Sequence, residues 1–227
     1  MRLTWFGHSC FLLETGIHRL LFDPWLNTNP VSPVKAANVR CDFIFCSHAH
    51  EDHTEDALEI SRNNRAPIIA PYELAEYFAA QGATTIDPMQ GGSVALPFGR
   101  VKLTPAIHSS SLELGNGRNL PLGEPAGFVV FANDRTIYHA GDTALFSDMR
   151  LIGRTGLDLA LLPIGDWYTM GIDDAIEALD LLTPRLAVPM HFNTHEKIRV
   201  DPQTFVTRAA ARGHAVSVLE PGGTLEF

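Results

Sequence analysis

Short apolar runs, β-branched or aromatic and closed by Gly, Pro, Asn or Asp, recur along this chain. They predict strands over 2–6, 10–14, 18–23, 42–47, 67–70, 84–87, 93–97, 100–108, 127–132, 135–139, 157–163, 185–190 and 214–219. Gly99-Arg100 and Asn133-Asp134 read as hairpin turns, so some neighbouring strands are expected to be antiparallel. Other segments carry the helical period. In 71–82, Pro71 suits a first turn, Leu74, Tyr77 and Phe78 share a face, and Gly82 stops the helix. The segment 172–184 opens with acidic residues, repeats Ile176, Leu179 and Leu182, and ends at Pro184. Residues 201–213 repeat the design between Pro202 and Gly213, and further helices are expected after 53 and near 144–152. Strands come first and then alternate with helices. No linker or repeat interrupts them, so the expectation is one layered α/β domain over 1–227.

The polar residues between these elements change the picture. His48 and His50 follow the strand 42–47, and His108 ends 100–108. Asp142 follows 135–139, and His191 follows 185–190. Rigid strands aim the residues at their carboxyl ends into a common crevice, so imidazoles and carboxylates at several such ends are a candidate metal centre. In an extended segment His48 and His50 point the same way, and a turn into a helix swings Asp52 and His53 to a second position. The stretch Ser47-His48-Ala49-His50-Glu51-Asp52-His53 can thus serve two neighbouring metals, with Asp142 between them. Each residue also has a plainer reading. A strand-end histidine is commonly a hydrogen-bonded core or surface residue. Asp52 with Glu55 has the spacing of a capping box, and Asp142 has the look of a cap before 143–150.

Composition narrows the classes. The 227 residues are 45% hydrophobic and 19% charged, enough for a substantial core. The net charge of −9, with no Lys or Arg run, argues against nucleic-acid partners. Cys10, Cys41 and Cys46 are odd in number and form no C-x-x-C pair, which argues against disulfides and a thiolate zinc site. No signal-peptide pattern opens the chain and no apolar stretch reaches about 18 residues, so a cytoplasmic protein without a membrane span is expected. No Gly-x-Ser-x-Gly elbow is present for a serine nucleophile.

The order of the motifs 47–53, His108, "HAGDT" and "PMHF" resembles that of the metallo-β-lactamase superfamily. The stretches "LTWFGHSCFLLE", "LFDPWL", "AGDTALFSDM", "LLPIGDWYTMG" and "PMHFNT" resemble its branch of poorly characterised metal-dependent hydrolases, related to ascorbate-6-phosphate lactonases. The resemblance spans essentially the whole chain. It implies a four-layer αββα sandwich, two mixed sheets face to face with the site at one edge. It implies His48, His50 and His108 on one divalent ion and Asp52, His53 and His191 on a second, with Asp142 bridging. Zinc suits this donor set best, and manganese, iron and nickel are compatible. Asp23 matches the superfamily's loop-ordering aspartate. His8 and His139 are candidates for orienting ligands. Asp52 and His195 are the candidates for proton handling, and Trp167 and Tyr168 for the substrate pocket. Relatives often have Asn-Phe at 167–168, and Tyr and Phe at 192 and 195. His18 and His214 show no partner signal, and 109–126 is long enough for a lid or an oligomer contact.

The function expected is metal-dependent hydrolysis of a small ester, lactone, amide or phosphoester. The alternatives are a mononuclear iron oxidoreductase resembling persulfide dioxygenases, and a nuclease of the same superfamily.

Overall fold

In β1 (Arg2–Trp5), Leu3 and Trp5 are buried while Arg2 and Thr4 are not, the period of a half-buried strand. With β2 (Phe11–Glu14), β3 (Arg19–Phe22), β4 (Phe43–Phe45), β5 (Ile68–Ile69), β6 (Thr85–Ile86) and β15 (Thr224–Glu226) it forms a seven-stranded mixed sheet ordered β15-β1-β2-β3-β4-β5-β6. A second mixed sheet contains β7 (Ser93–Leu96), β8 (Gly99–Pro105), β11 (Ala126–Ala132), β12 (Arg135–His139), β13 (Leu159–Pro163) and β14 (Leu186–Met190), ordered β14-β13-β12-β11-β8-β7. A small hairpin joins β9 (Ser111–Glu113) to β10 (Asn119–Pro121). The structure, a computed structural model, describes residues 1–115 and 117–227.

Successive residues sort into two cores, which is how four layers arise. Leu20 and Phe22, with Phe43 and Phe45, share one buried cluster with Val101, Phe128 and Leu161 of the second sheet. Leu21 and Ile44, between them in sequence, face the other way and join Ile60 of α2 (Ala57–Asn64) and Leu74 and Phe78 of α3 (Tyr72–Ala80). On the far side of the second sheet, α4 (Met149–Gly153), α5 (Ile172–Leu182) and α6 (Pro202–Ala211) bury Ile152, Leu179 and Phe205. The result is the αββα sandwich.

Several expectations need correction. Residues 214–219 form no strand; Val216 makes only an isolated bridge to Ala187. The chain instead ends on β15, which zips onto β1. The β7–β8 turn is Pro97-Phe98, with Gly99 already paired to Leu96. The Asn133-Asp134 turn is as expected: both residues have positive φ, 49° and 59°, and join Ala132 to Arg135. The stretch 109–126 holds the β9–β10 hairpin; Asn116 lies outside the described residues. His214 does have a partner, with Nε2 2.6 Å from Asp180 Oδ1.

Strand direction places the site. β3 and β4 run parallel, and β1 runs the same way because β2 opposes both β1 and β3. In the second sheet β12, β13 and β14 are parallel, and β8 runs with them because β11 opposes both β8 and β12. The segments after β1, β3 and β4, and after β8, β12 and β14, therefore leave their sheets at carboxyl ends, where crevices form. No helix among the described residues is long and apolar enough to cross a membrane.

Candidate metal centre

The chain leaving β4 reaches α1 (Glu51–Thr54), whose N-cap is His50. His48 and His50 precede that helix, and Asp52 and His53 lie in its single turn. No capping box forms: Glu55 accepts instead from the Thr28 hydroxyl at 2.6 Å. Asp142 is not a helix cap either, since α4 begins at Met149 with Asp148 as its N-cap. Asp142 lies in the segment after β12, and its carboxylate meets four imidazoles from three segments of the chain. His191 Nε2 stands 2.9 Å from Oδ2, His53 Nε2 3.3 Å from Oδ1, His108 Nε2 3.6 Å and His48 Nε2 4.0 Å from Oδ2. His108 sits past the end of β8, which stops at Pro105. Its loop is held by the Ile107 N–H donating to Thr143 Oγ1 at 3.0 Å.

Three groups have donor atoms close enough to share one ion: His48, His50 and His108; His48, His53 and Asp142; and His8, Asp52, His53 and His191. The seven residues expected as ligands are thus brought together, and His8 joins them. Gly7 makes that possible. Its φ of +100° suits glycine, and a Cβ there would stand 2.6 Å from Val31 Cγ2. His8 itself has φ 55°, and Trp5 Nε1–H donates to its carbonyl at 2.9 Å. The His191 N–H donates to the same carbonyl at 3.1 Å, tying the end of β14 to the β1–β2 turn. Asp23 and His191 are also left-handed, at φ 42° and 54°, a concentration of backbone strain typical of functional sites.

Hydrogen bonds under the cluster orient its rings. Asp23 accepts from the Ser47 N–H and the Ser47 hydroxyl, both at 2.7 Å, and from His53 Nδ1 at 2.8 Å. His53 Nδ1 therefore carries a proton and Nε2 points at Asp142. The Ser47 hydroxyl gives its one proton to Asp23, so at 2.9 Å from His48 Nδ1 it acts as the acceptor. His48 is thereby held with its Nε2 lone pair facing the cluster, the arrangement by which carboxylates fix metal-binding imidazoles. His139 works one layer further out. The Gly141 N–H donates to its Nδ1 at 3.2 Å and its Nε2 donates to the Ser9 carbonyl at 3.0 Å, which shapes the turn into Asp142.

The electrostatics suit cation capture. Burial, then the neighbouring His53, holds His48 well below the ordinary imidazole range; burial also lowers His50 and His108. Burial and His191 push His8 down to about 3. Burial opposes charge on Asp142, but His191 and His53 outweigh it and hold the carboxyl well below its usual range. Burial likewise opposes ionisation of Asp52, and the hydrogen bond from His8 leads the effects that lower it. For His53, burial is outweighed by Asp142 and Asp23, which raise it well above the ordinary value.

These residues fit a divalent metal. His53 Nε2 and Asp142 Oδ1 are buried without a well-formed hydrogen bond, 3.3 Å apart, a cost that a coordinated ion removes from atoms aimed at it. Neutral imidazole with carboxylate is the donor set of zinc and its neighbours.

A cavity of ≈ 620 Å³ opens above the cluster, lined by His50, His108, Asp142, His191 and His195 among others. Tyr168 lines it and Trp167 does not; Trp167 is 66% exposed beside the rim. Trp25 stacks on His195, with ring centres 5.6 Å apart and planes 18° apart. Along the sequence Trp25 is visible only as part of "LFDPWL", Thr194 only as part of "PMHFNT", Glu51 only within 47–53 and Glu55 only as a cap partner, and Glu113 carries no mark. A larger groove, ≈ 1010 Å³, lies at the opposite strand ends by Glu14, His18 and Asp42. Among the described residues it holds no metal-capable group of this kind.

Comparison with known proteins agrees with the geometry. Residues 18–192 match the family described as "Beta-lactamase superfamily domain". A UPF0173 metal-dependent hydrolase of Opitutus terrae is 64% identical over 226 residues, covering 100% of both chains. One from Archaeoglobus fulgidus is 44% identical over 230 residues, covering 100% of this chain and 99% of its own. The solved structure of Igni18, a metallo hydrolase from Ignicoccus hospitalis, superposes with a TM-score of 0.89 at 39% identity, over 100% of this chain and 98% of that one. With its sandwich and its clustered histidines and aspartates, the chain belongs to the β-lactamase superfamily and, within it, to the UPF0173 metal-dependent hydrolases.

Proposed function

We propose that the protein hydrolyses a small ester, lactone, amide or phosphoester with two divalent metals, zinc the best suited. His48, His50 and His108 would hold one, Asp52, His53 and His191 the other, and Asp142 would bridge. The observation that carries the reading is the single carboxylate of Asp142, within 4.0 Å of imidazoles belonging to both sets. Bound metal supplies an activated water near neutral pH and polarises the scissile carbonyl or phosphoryl group. The chain's own residues do the rest. Asp52, 3.2 Å from His8 Nε2, holds or accepts the proton of the attacking water. His195, stacked on Trp25 at the cavity wall, donates a proton to the leaving group. Asp23 and His139 hold ring orientation and loop shape without touching substrate.

The test is metal quantification on the purified protein, followed by an ester, lactone and phosphodiester panel with that metal. Two equivalents and hydrolysis lost in His48→Ala are expected. Hydrolysis retained by metal-free protein would end the reading; oxygen consumption with bound iron and no hydrolysis would replace it by the oxidoreductase.

A further inference from the structure

The cavity walls carry charge of one sign. Glu51, Glu55 and Glu113 line them, and among the described residues no Lys or Arg does. The one position outside the description is Asn116, which carries no charge. Lys197 is close to the rim, but its ammonium faces the rings of Trp167 at 4.9 Å and Tyr168 at 5.8 Å. The remaining wall combines the ring faces of Trp25, stacked on His195, and of half-exposed Tyr168 with the neutral polar side chains of Thr28, Ser109, Ser111 and Asn119.

Phosphate and carboxylate groups of substrates are normally gripped by Arg or Lys, often bidentately. Nothing on these walls offers that grip. The charge of bound metal acts at the cavity floor, where Asp52 and Asp142 meet it, so the glutamates act on the part of the substrate that projects above the metals. We infer that this site, read as the hydrolytic centre proposed above, takes substrates whose portion remote from the scissile bond is neutral or cationic and offers a flat face for stacking, and disfavours those bearing a phosphate or carboxylate there. Esters, lactones and amides carrying a phosphate away from the scissile bond are thereby set aside, whereas a phosphoester cleaved at the phosphate itself is not.

The test varies only the remote end. Three benzohydroxamates carry the same metal-binding hydroxamate and a 4-trimethylammonio, 4-methyl or 4-carboxylate group. Their Kd values are measured on the metal-loaded full chain. Affinity is expected to fall in that order, by about 10-fold across the series at low salt. The spread should collapse near 1 M salt, where charges are screened beyond roughly 3 Å. It should also shrink in the Glu55→Gln/Glu113→Gln double variant, with metal content checked as a control for an intact site. A carboxylate that binds as well as the cation, a spread unchanged in the double variant, or binding by none of the three overturns the inference. Hydrolysis of the corresponding 4-substituted phenyl acetates is followed in parallel. Loss of hydrolysis with the Kd order intact removes the hydrolase reading alone, and hydrolysis with a flat Kd series removes charge selection alone.

Discussion

The two halves of the candidate metal site are built differently. His48, His50 and His108 come from two segments, and their rings lean on one another at 4.5–5.1 Å between centres. His50 and His108 are half-buried and open onto the cavity. The other half draws His8, Asp52, His53 and His191 from three separate segments, and all but Asp52 are fully or almost fully buried. It is braced from behind, by Thr194 Oγ1 2.7 Å from His8 Nδ1 and by Asp23 against His53. The first half is therefore largely a local construction. The second exists only once β1, α1 and β14 have been brought together, and it holds buried polar atoms without partners. Metal binding to this half should accordingly be coupled more strongly to folding.

Breaking both halves at once gives the largest expected effect. Asp142→Asn should empty both positions, with hydrolysis falling by more than the roughly 10–100-fold that losing an outer partner costs. Metal analysis showing one position still fully loaded would mean that Asp142 belongs to one half only. Asp23→Ala should leave His53 Nδ1 without its acceptor and the ring charge with Asp142 alone, costing about 1–3 kcal/mol in urea denaturation of the chelated protein. The second metal should weaken more than the first, whose His48 feels Asp23 only through Ser47. His8→Gln should lower affinity for the second metal by roughly 10–100-fold with one equivalent retained; equal loss at both positions would erase the distinction between the halves.

pH separates the halves in the chelated protein. His53 is raised, so its pairing stabilises the fold below the unfolded value near 6.5 and is lost as pH climbs through its folded value. His48 is lowered, so its buried neutral ring costs stability as pH falls below about 6.5, where the unfolded chain gains a proton. The stability difference between wild type and His53→Gln should shrink as pH rises from 6, and that between wild type and His48→Gln should move in the protein's favour; urea midpoints across pH would show it. The smallest effect expected is Thr194→Val, about 1 kcal/mol in the same assay, with a few-fold weaker second metal.

The difference between the halves also explains what was legible along the chain. His48, His50, Asp52 and His53 are visible because strand and helix periods place neighbours in sequence. The placement of His8 within ligand distance was not, since a histidine after a glycine in a β1–β2 turn carries no local mark of what lies across from it. The β15 strand was passed over because residues 224–226 are too few for a period and pair only with the other end of the chain. The run 214–219 looked like a strand because it is β-branched and apolar, yet it finds only one bridge, at Val216. The β9–β10 hairpin hid in a polar stretch, and with it Glu113.

Residue order alone determined a layered α/β class, most strands and helices, and a candidate metal centre at strand ends; the four layers and the set of seven ligands were what the family resemblance implied. Hydrophobic period and strand-end position are local properties that survive in one dimension. Tertiary structure decided which atoms share a space. It aimed His8 at Asp52 and His191, assigned the proton on His53 through Asp23, and surrounded the cavity with glutamates and aromatic rings instead of lysines. Those outcomes depend on distances between segments up to 186 residues apart, as between His8 and Thr194, and no period along the chain encodes them.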